Sequence, residues 1–325
     1  MRLIMMGTGP FAVPTFESLL ASDHEVIALI TRPSVTVQTR GKPKAAPNPM
    51  RNVAEQRNIR VWDPADVNNS DSRQVLASLN PDLFVVCDYG QILSPETLLI
   101  SPLGGINLHG SLLPKYRGAA PVNWAIWKGE SETGVTVLHM TPKLDAGPSL
   151  VQVTTQIGPD ETAHELETRL AKLGIEPVHQ ALAMLTHWDR KCAMGHAQDP
   201  SLATRARRLK KTDGLADWNQ PAEQVYRQFR AVQPWPGFFT YWQSSGREPV
   251  RLSLQRISIV HLADERALQG SLVPGTVAGT NDGRMVVAAS SGAIAIHNLQ
   301  SAGSRLMDTA EFLRGHAIKP GDVMG

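Results

Sequence analysis

Asn107 and His109 stand two residues apart in Gly104-Gly105-Ile106-Asn107-Leu108-His109-Gly110, an apolar run bracketed by glycines. Such a run predicts a short buried strand ending at His109-Gly110, and a period of two places both polar side chains on one face. An amide donor beside an imidazole can polarise a carbonyl and move a proton. Beyond them the chain turns through Ser111-Leu112-Leu113-Pro114 and Arg117-Gly118-Ala119-Ala120-Pro121, bends suited to a rigid ligand loop. An isolated Asn-x-His more often ends a strand and bonds local backbone. The assignment therefore rests on longer context.

The elements that must position this pair begin at the N-terminus. Leu3–Met6 predicts a first strand, and Gly7-Thr8-Gly9-Pro10-Phe11-Ala12 a tight turn. Phe11, Phe16, Leu19 and Leu20 then recur at helical spacing, and Val26–Thr31 is a second apolar strand. A βαβ opening predicts an α/β fold with a Rossmann-like, doubly wound, mostly parallel sheet. Gly7-x-Gly9-x-x-Ala12 also matches a relaxed dinucleotide fingerprint. That reading, a dehydrogenase, requires an acidic residue at the end of the second strand, where Thr31-Arg32-Pro33 stands instead. An arginine could serve a 2′-phosphate, so the dehydrogenase reading is weakened, and the glycines are taken as turn residues.

Further strands are expected at Ile59–Trp62, Leu83–Cys87, Val135–Met140 and Leu150–Val153. Helices are expected from Asn52, over Ser72–Leu79 and Pro121–Lys128, from Asp160 or Thr162 to about Lys172, and over Pro177–Leu185. His139, His164, His179 and His187 have no chemical partners in the pattern and are assigned structural roles. These elements predict a catalytic domain over residues 1–189. Periodicity then lapses, and 190–208 reads as a basic linker. After a helix at Ala222–Ala231, short strands are expected at Phe238–Trp242, Val250–Leu254, Ile257–Leu262, Gly275–Ala278, Met285–Ala288 and Ala293–Leu299. Asn281-Asp282-Gly283 marks a turn, and Asp308 a cap for a last helix to Arg314. So many short strands predict a small β-barrel over 209–325.

Composition narrows the classes. With 325 residues, 42% hydrophobic and 19% charged, the chain is an ordinary globular protein of two domains. A net charge of +2 is too small to mark a nucleic-acid binder, so basic surface must be local. Cys87 and Cys192 lack metal-ligand spacing or a disulfide framework. The short apolar start is a strand and not a signal peptide, and no run is long enough to span a membrane. A cytoplasmic protein with no membrane partner, acting as a monomer, is expected.

Two cationic clusters stand out against the balanced charge. Arg32, Arg40, Lys42, Lys44 and Arg51 occupy a proline-rich stretch without acids, which predicts a long loop at the ligand-binding end of the sheet. Arg205, Arg207, Arg208, Lys210 and Lys211 form the second cluster.

Asn107-Leu108-His109-Gly110-Ser111-Leu112-Leu113-Pro114 followed by Arg117-Gly118-Ala119-Ala120-Pro121 resembles the active-site signature of folate-dependent formyltransferases. The likeness continues through Glu132-Thr133-Gly134-Val135-Thr136 and Leu144-Asp145-Ala146-Gly147, and more loosely over nearly the whole chain. It implies that Asn107, His109 and Asp145 are catalytic and that 10-formyltetrahydrofolate is the formyl donor. Formyl transfer needs a donor aimed at the developing oxyanion, a proton carrier and a group to orient that carrier. Asn107, His109 and Asp145 fit those three roles, and neither a metal nor a covalent nucleophile is required. Ser111, Leu112, Leu113 and Pro114, with Tyr89, Gly90 and Ile92 from the loop after Leu83–Cys87, are implied to bind the reduced folate. Asp88 departs from the family pattern, where a small apolar residue usually precedes the tyrosine. The resemblance also implies an OB-like C-terminal barrel.

The acceptor amine divides the family. Glycinamide ribonucleotide formyltransferases share the three catalytic residues but lack the second domain, whereas some sugar-amine formyltransferases carry a β-domain. By resemblance, the first basic loop takes the place of an insertion that grips the acceptor arm of a tRNA. Both clusters together favour initiator methionyl-tRNA, formylated on its methionine amino group, with Arg40, Lys42, Lys44, Arg205, Arg207, Arg208, Lys210 and Lys211 contacting phosphates. A non-enzymatic RNA-binding protein would leave Asn107, His109 and Asp145 without work.

Overall fold

Continuous apolar runs, buried on both faces, build the sheet that carries the site. In the computed structural model, residues 1–33, 36–37, 44–45, 48–243, 248–260, 273–280 and 283–325 are described. They divide into two compact units. The first comprises Met1–Val122, Ser131–Ile157 and Glu165–Arg208; the second comprises Asn123–Glu130, Gly158–His164 and Leu209–Gly325.

The strands of the first unit are β1 (Arg2–Met6), β2 (Glu25–Ile30), β3 (Thr36–Val37), β4 (Lys44–Ala45), β5 (Val61–Trp62) and β6 (Leu83–Val86). They continue as β7 (Gly105–His109), β8 (Arg117–Gly118), β9 (Glu132–His139), β10 (Ser149–Gln156) and β11 (Arg205–Ala206). Seven of them form one sheet in the order β10-β9-β7-β6-β1-β2-β5. β1 pairs in parallel with β2 and β6, β2 with β5 and β6 with β7, while β9 and β10 join antiparallel at one edge. This is the mostly parallel, Rossmann-like sheet that the sequence pattern predicts.

Leu3, Ile4, Met5 and Met6 of β1 and Leu83, Phe84 and Val85 of β6 are wholly buried. Side chains of this kind contribute about 1.5–3 kcal/mol each on burial, which fixes the centre of the sheet. From β1 the chain moves to β2 and β5 on one side, then crosses to β6 on the other. That reversal opens a crevice outside the carboxyl ends of β1 and β6, where open α/β sheets bind ligands.

Helices fall close to their expected positions, and the differences have local causes. The second helix begins at Pro49, not Asn52, because the Asn48 side chain accepts the Arg51 N–H at 3.0 Å and caps it. Pro121–Lys128 and Ala222–Ala231 form as expected. His139 is structural, with Nε2 2.9 Å from the Leu103 carbonyl. None of the described helices is long and apolar enough to cross a membrane.

The second unit holds β12 (Phe239–Gln243), β13 (Val250–Ile259), β14 (Val277–Gly279), β15 (Met285–Ala288), β16 (Ala293–Ser301), β17 (Met307–Asp308) and β18 (Val323–Met324). Their order is β14-β15-β16-β13-β12-β18, with every pair antiparallel and β17 attached to β16. A bridge between Thr276 and Val323 brings the two edges together, closing the expected barrel. Val250–Leu254 and Ile257–Leu262 are not separate strands. One strand runs through Val250–Ile259, with register shifts around Arg256 absorbing the break in alternation. Asp308 occupies the cap position of the last helix, but its side chain makes no cap bond and accepts from Asn298 Nδ2 instead. Residues 261, 262, 281 and 282 of the expected strand and turn lie outside the described residues.

Candidate active site

β7 is hydrogen-bonded on both sides, and this fixes where its polar side chains stand. Asn107 lies opposite Val86 of β6 and Leu138 of β9, and His109 opposite Thr136. The chain then doubles back through a loop that reaches the imidazole again. His109 Nε2 is 2.9 Å from the Tyr116 carbonyl oxygen. A carbonyl only accepts, so Nε2 carries a proton and Nδ1 is the other, exchangeable nitrogen.

Asp145 arrives from the loop between β9 and β10. Its Oδ1 is 3.4 Å from Asn107 Nδ2, a long contact, and its Oδ2 accepts the Gly118 N–H at 2.8 Å. The same Oδ2 faces His109 Nδ1 at 3.8 Å, with the two side chains only 8% and 6% exposed. An amide, an imidazole and a shielded carboxylate thus converge at the carboxyl end of the sheet, as their sequence setting predicts.

The Leu-Asp-Ala-Gly spacing has a backbone reason. Asp145 adopts φ +48°, a left-handed conformation that Asp tolerates better than most residues. A Cβ at Gly147 would stand 1.8 Å from the His139 carbonyl oxygen, so the loop can close over β9 only with glycine there. These two residues turn the carboxylate back toward β7.

A segment beyond the expected domain end completes the site. β11 pairs in parallel with β8, joining Arg205 to Arg117 and Ala206 to Gly118. Thr204 Oγ1 accepts the Tyr116 N–H at 2.8 Å, and the Thr204 carbonyl accepts the Arg117 N–H at 2.9 Å. The backbone that meets both His109 and Asp145 is therefore itself held by residues 204–206. Gln198 donates to the carbonyls of Asp145 and Gly147 at 2.9 and 2.7 Å. No motif or periodicity singles out these residues; the signal is a two-residue pairing and one amide.

The residues assigned to folate divide by what faces outward. Ser111 is wholly buried, and its hydroxyl donates to the Lys115 carbonyl at 2.7 Å, so it shapes the loop. Leu113 is buried as well, with its N–H on Thr136 Oγ1 and its carbonyl on Gln152 Nε2. Leu112 and Pro114 are half-buried. The Tyr89 ring packs into the core beside Ile4, Met6 and Phe84, and burial pushes its phenol above the ordinary range. Only the Tyr89 carbonyl is engaged in the loop, accepting from Thr8 Oγ1. Gly90, at φ +82°, lies under the Arg32 side chain, and Ile92 is 60% exposed.

Asp88 sits at the crevice with φ +47°. A Cβ at position 9 would come 1.7 Å from its Oδ2, so Gly9 leaves the room that this carboxylate occupies. Asp88 keeps solvent access, yet the surrounding protein strips enough water to push its pKa up to about 6, against the pull of Arg208 and Arg32.

Arg205, Arg207 and Arg208 are exposed in the first unit, and Lys210 and Lys211 are exposed in the second. Arg40 and Lys42 lie outside the described residues, and Lys44 is described only as backbone of β4.

Comparison with known proteins matches the chain to a family. Residues 1–182 match the model described as formyl transferase, and residues 208–317 that described as formyl transferase, C-terminal domain. The chain is 39% identical over 334 residues to methionyl-tRNA formyltransferase of Rhodopirellula baltica, covering 100% of this chain and 96% of that protein. Among solved structures, an N-formyltransferase from Helicobacter canadensis, in complex with folinic acid and dTDP-3-aminofucose, has a TM-score of 0.63 at 15% identity, over 92% of this chain and 98% of its own. Methionyl-tRNA formyltransferase from Clostridium thermocellum gives 0.54 at 16% identity, over 80% and 94%. Those two share the fold across different acceptors, so the backbone alone does not choose between acceptors. Sequence identity from end to end goes further than the fold, and the chain belongs to the methionyl-tRNA formyltransferase family of formyl transferases.

Proposed function

We propose that the protein transfers the formyl group of 10-formyltetrahydrofolate to the α-amino group of methionine on initiator methionyl-tRNA. The observation that carries this is the convergence of Asn107, His109 and Asp145 at the carboxyl end of the sheet, in a chain matching tRNA-acting relatives from end to end. The residues present fit a formyl-folate: two hydrogen-bond donors converge, and exposed Ile92 offers an apolar wall in the loop after β6.

The donor supplies an activated one-carbon acyl group, whose transfer passes through a tetrahedral oxyanion. Asn107 Nδ2 is aimed to donate to that oxygen, a contribution of about 100- to 1000-fold in turnover for one such donor. The Asp145 carboxylate faces His109 Nδ1 at 3.8 Å and orients the ring. There the imidazolium can donate to the oxyanion and pass its proton to the folate nitrogen as the bond from that nitrogen to the formyl carbon breaks, and the imidazole then takes the proton that the attacking α-amino group gives up on becoming a formamide. Tyr116 and Gly118 keep imidazole and carboxylate facing each other throughout.

The exposed arginines and lysines at 205–211, with Arg40, Lys42 and Lys44, would neutralise phosphates along the acceptor arm. The test is transfer of labelled formyl from 10-formyltetrahydrofolate to charged initiator tRNA, run beside a nucleotide-sugar amine. Formylation of the tRNA supports the proposal, and preference for the sugar amine overturns its acceptor.

A further inference from the structure

The Asp145 loop does little to hold itself in place. Pro142, Lys143 and Leu144 are exposed, the loop's internal bond from Ala146 N–H to the Lys143 carbonyl is long at 3.3 Å, and Asp145 is left-handed. Two of its backbone carbonyls are held by one side chain 53 residues further on. Gln198 Nε2 donates to the Asp145 carbonyl at 2.9 Å and the Gly147 carbonyl at 2.7 Å. Gln198 Oε1 accepts from Arg117 Nε at 3.1 Å and Nη2 at 2.6 Å.

Both amide hydrogens and both oxygen lone pairs are thus used. The orientation of the amide is unambiguous, because a flip would set its oxygen against two carbonyls and its NH₂ against a guanidinium. Glutamate in its place would keep the arginine and repel both carbonyls. The contacts also close on themselves. Asp145 Oδ2 binds Gly118 N–H, Gly118 follows Arg117 in β8, the Arg117 guanidinium binds Gln198, and Gln198 binds the Asp145 carbonyl. The carboxylate is fixed from its head and from its own backbone by one ring of bonds.

We propose that Gln198, backed by Arg117, is a positioning residue for formyl transfer, holding the Asp145 carboxylate against His109. It touches no reacting atom, and it rests on the catalytic roles proposed above. A structural glutamine would affect stability and substrate affinity alike. A positioning one acts on turnover, because a displacement of about 1 Å can cost on the order of 100-fold. Its effect also vanishes once the group it positions is gone.

The full-length Gln198→Ala and Gln198→Glu variants should lose about 10- to 100-fold in kcat, with the KM for 10-formyltetrahydrofolate within about twofold of wild type. In a chain already carrying Asp145→Asn, adding Gln198→Ala should change kcat by less than about threefold. Hydrogen exchange at the Gly118 amide, measured without substrate, should quicken in both single variants while the midpoint of thermal unfolding shows them folded. Unchanged Gly118 exchange, kcat within twofold of wild type, or a full multiplicative loss in the double variant would each overturn the proposal. Should the wild type formylate no acceptor, the catalytic assignment falls, and Gly118 exchange still decides whether Gln198 holds the loop.

Discussion

His109 reaches back across its own loop to Tyr116, whose carbonyl oxygen lies 2.9 Å from Nε2. One ring nitrogen is thereby committed as a donor, and the other is turned toward Asp145 at 3.8 Å. In the proposed mechanism, proton transfer therefore runs through Nδ1, because a backbone atom seven residues along the chain holds Nε2.

In protein labelled at the imidazole nitrogens, neutral His109 should therefore show protonated Nε2 and bare Nδ1. The opposite tautomer would break the link to Tyr116. Replacing His109 with alanine should lower kcat by two to four orders of magnitude, the range of a general acid–base group. A His109→Ala enzyme with near wild-type turnover would remove the imidazole from the mechanism.

Asn107 and Asp145 should separate from His109 in what their loss does. Asn107→Ala removes one donor to the oxyanion and should reduce kcat by about 100- to 1000-fold. Asp145→Asn keeps an oxygen able to accept from Gly118 but loses the charge facing Nδ1. We expect a kcat loss of at least about 100-fold with donor binding little changed. Circular dichroism should show both variants folded. Loss confined to KM would mean that these groups bind substrate without acting in the transition state.

Much of this site is legible in the sequence because it follows short-range rules. Period-two geometry puts Asn107 and His109 on one face, and glycine marks the close approach at position 147. The helix at Ala222–Ala231 follows the same kind of local rule. Long-range single contacts leave no periodic trace. Gln198 lies in a polar stretch read as linker, and β8 and β11 are two residues each. Tyr89 belongs to the expected folate loop by its place in the chain, through backbone groups of that loop. Position in a loop does not say which way a side chain turns, and this one fills the core.

Asp88 yields a prediction about pH. Its carboxyl is raised from 3.8 to about 6 in the folded chain, chiefly by desolvation. The folded state then holds a proton that the unfolded chain has released between those values. The stability contribution is present in full below about pH 4, shrinks as pH rises through 6, and is absent above. Asp88→Asn keeps the neutral form at every pH. Its melting temperature should match wild type near pH 4 and exceed it above pH 7, with the difference opening across pH 4–6. A difference independent of pH would show that Asp88 titrates normally.

The acceptor gives the last prediction. A nucleotide sugar is small and needs few cations, whereas a tRNA presents phosphates far from the reacting amine. A chain of net charge +2 that concentrates Arg205, Arg207, Arg208, Lys210 and Lys211 in seven residues is suited to the second. Charge reversal at Arg207 and Lys211, and separately at Arg40 and Lys42, should weaken use of charged initiator tRNA strongly and leave donor binding unchanged. Each phosphate contact removed should also lower the slope of log affinity against log salt by about 0.7–0.9. A small amine acceptor supplied in place of tRNA should be formylated equally by wild type and the reversal variants. If the variants instead formylate tRNA at the wild-type rate with an unchanged salt slope, these cations do not hold the acceptor, and the assignment of Asn107, His109 and Asp145 stands apart from that result.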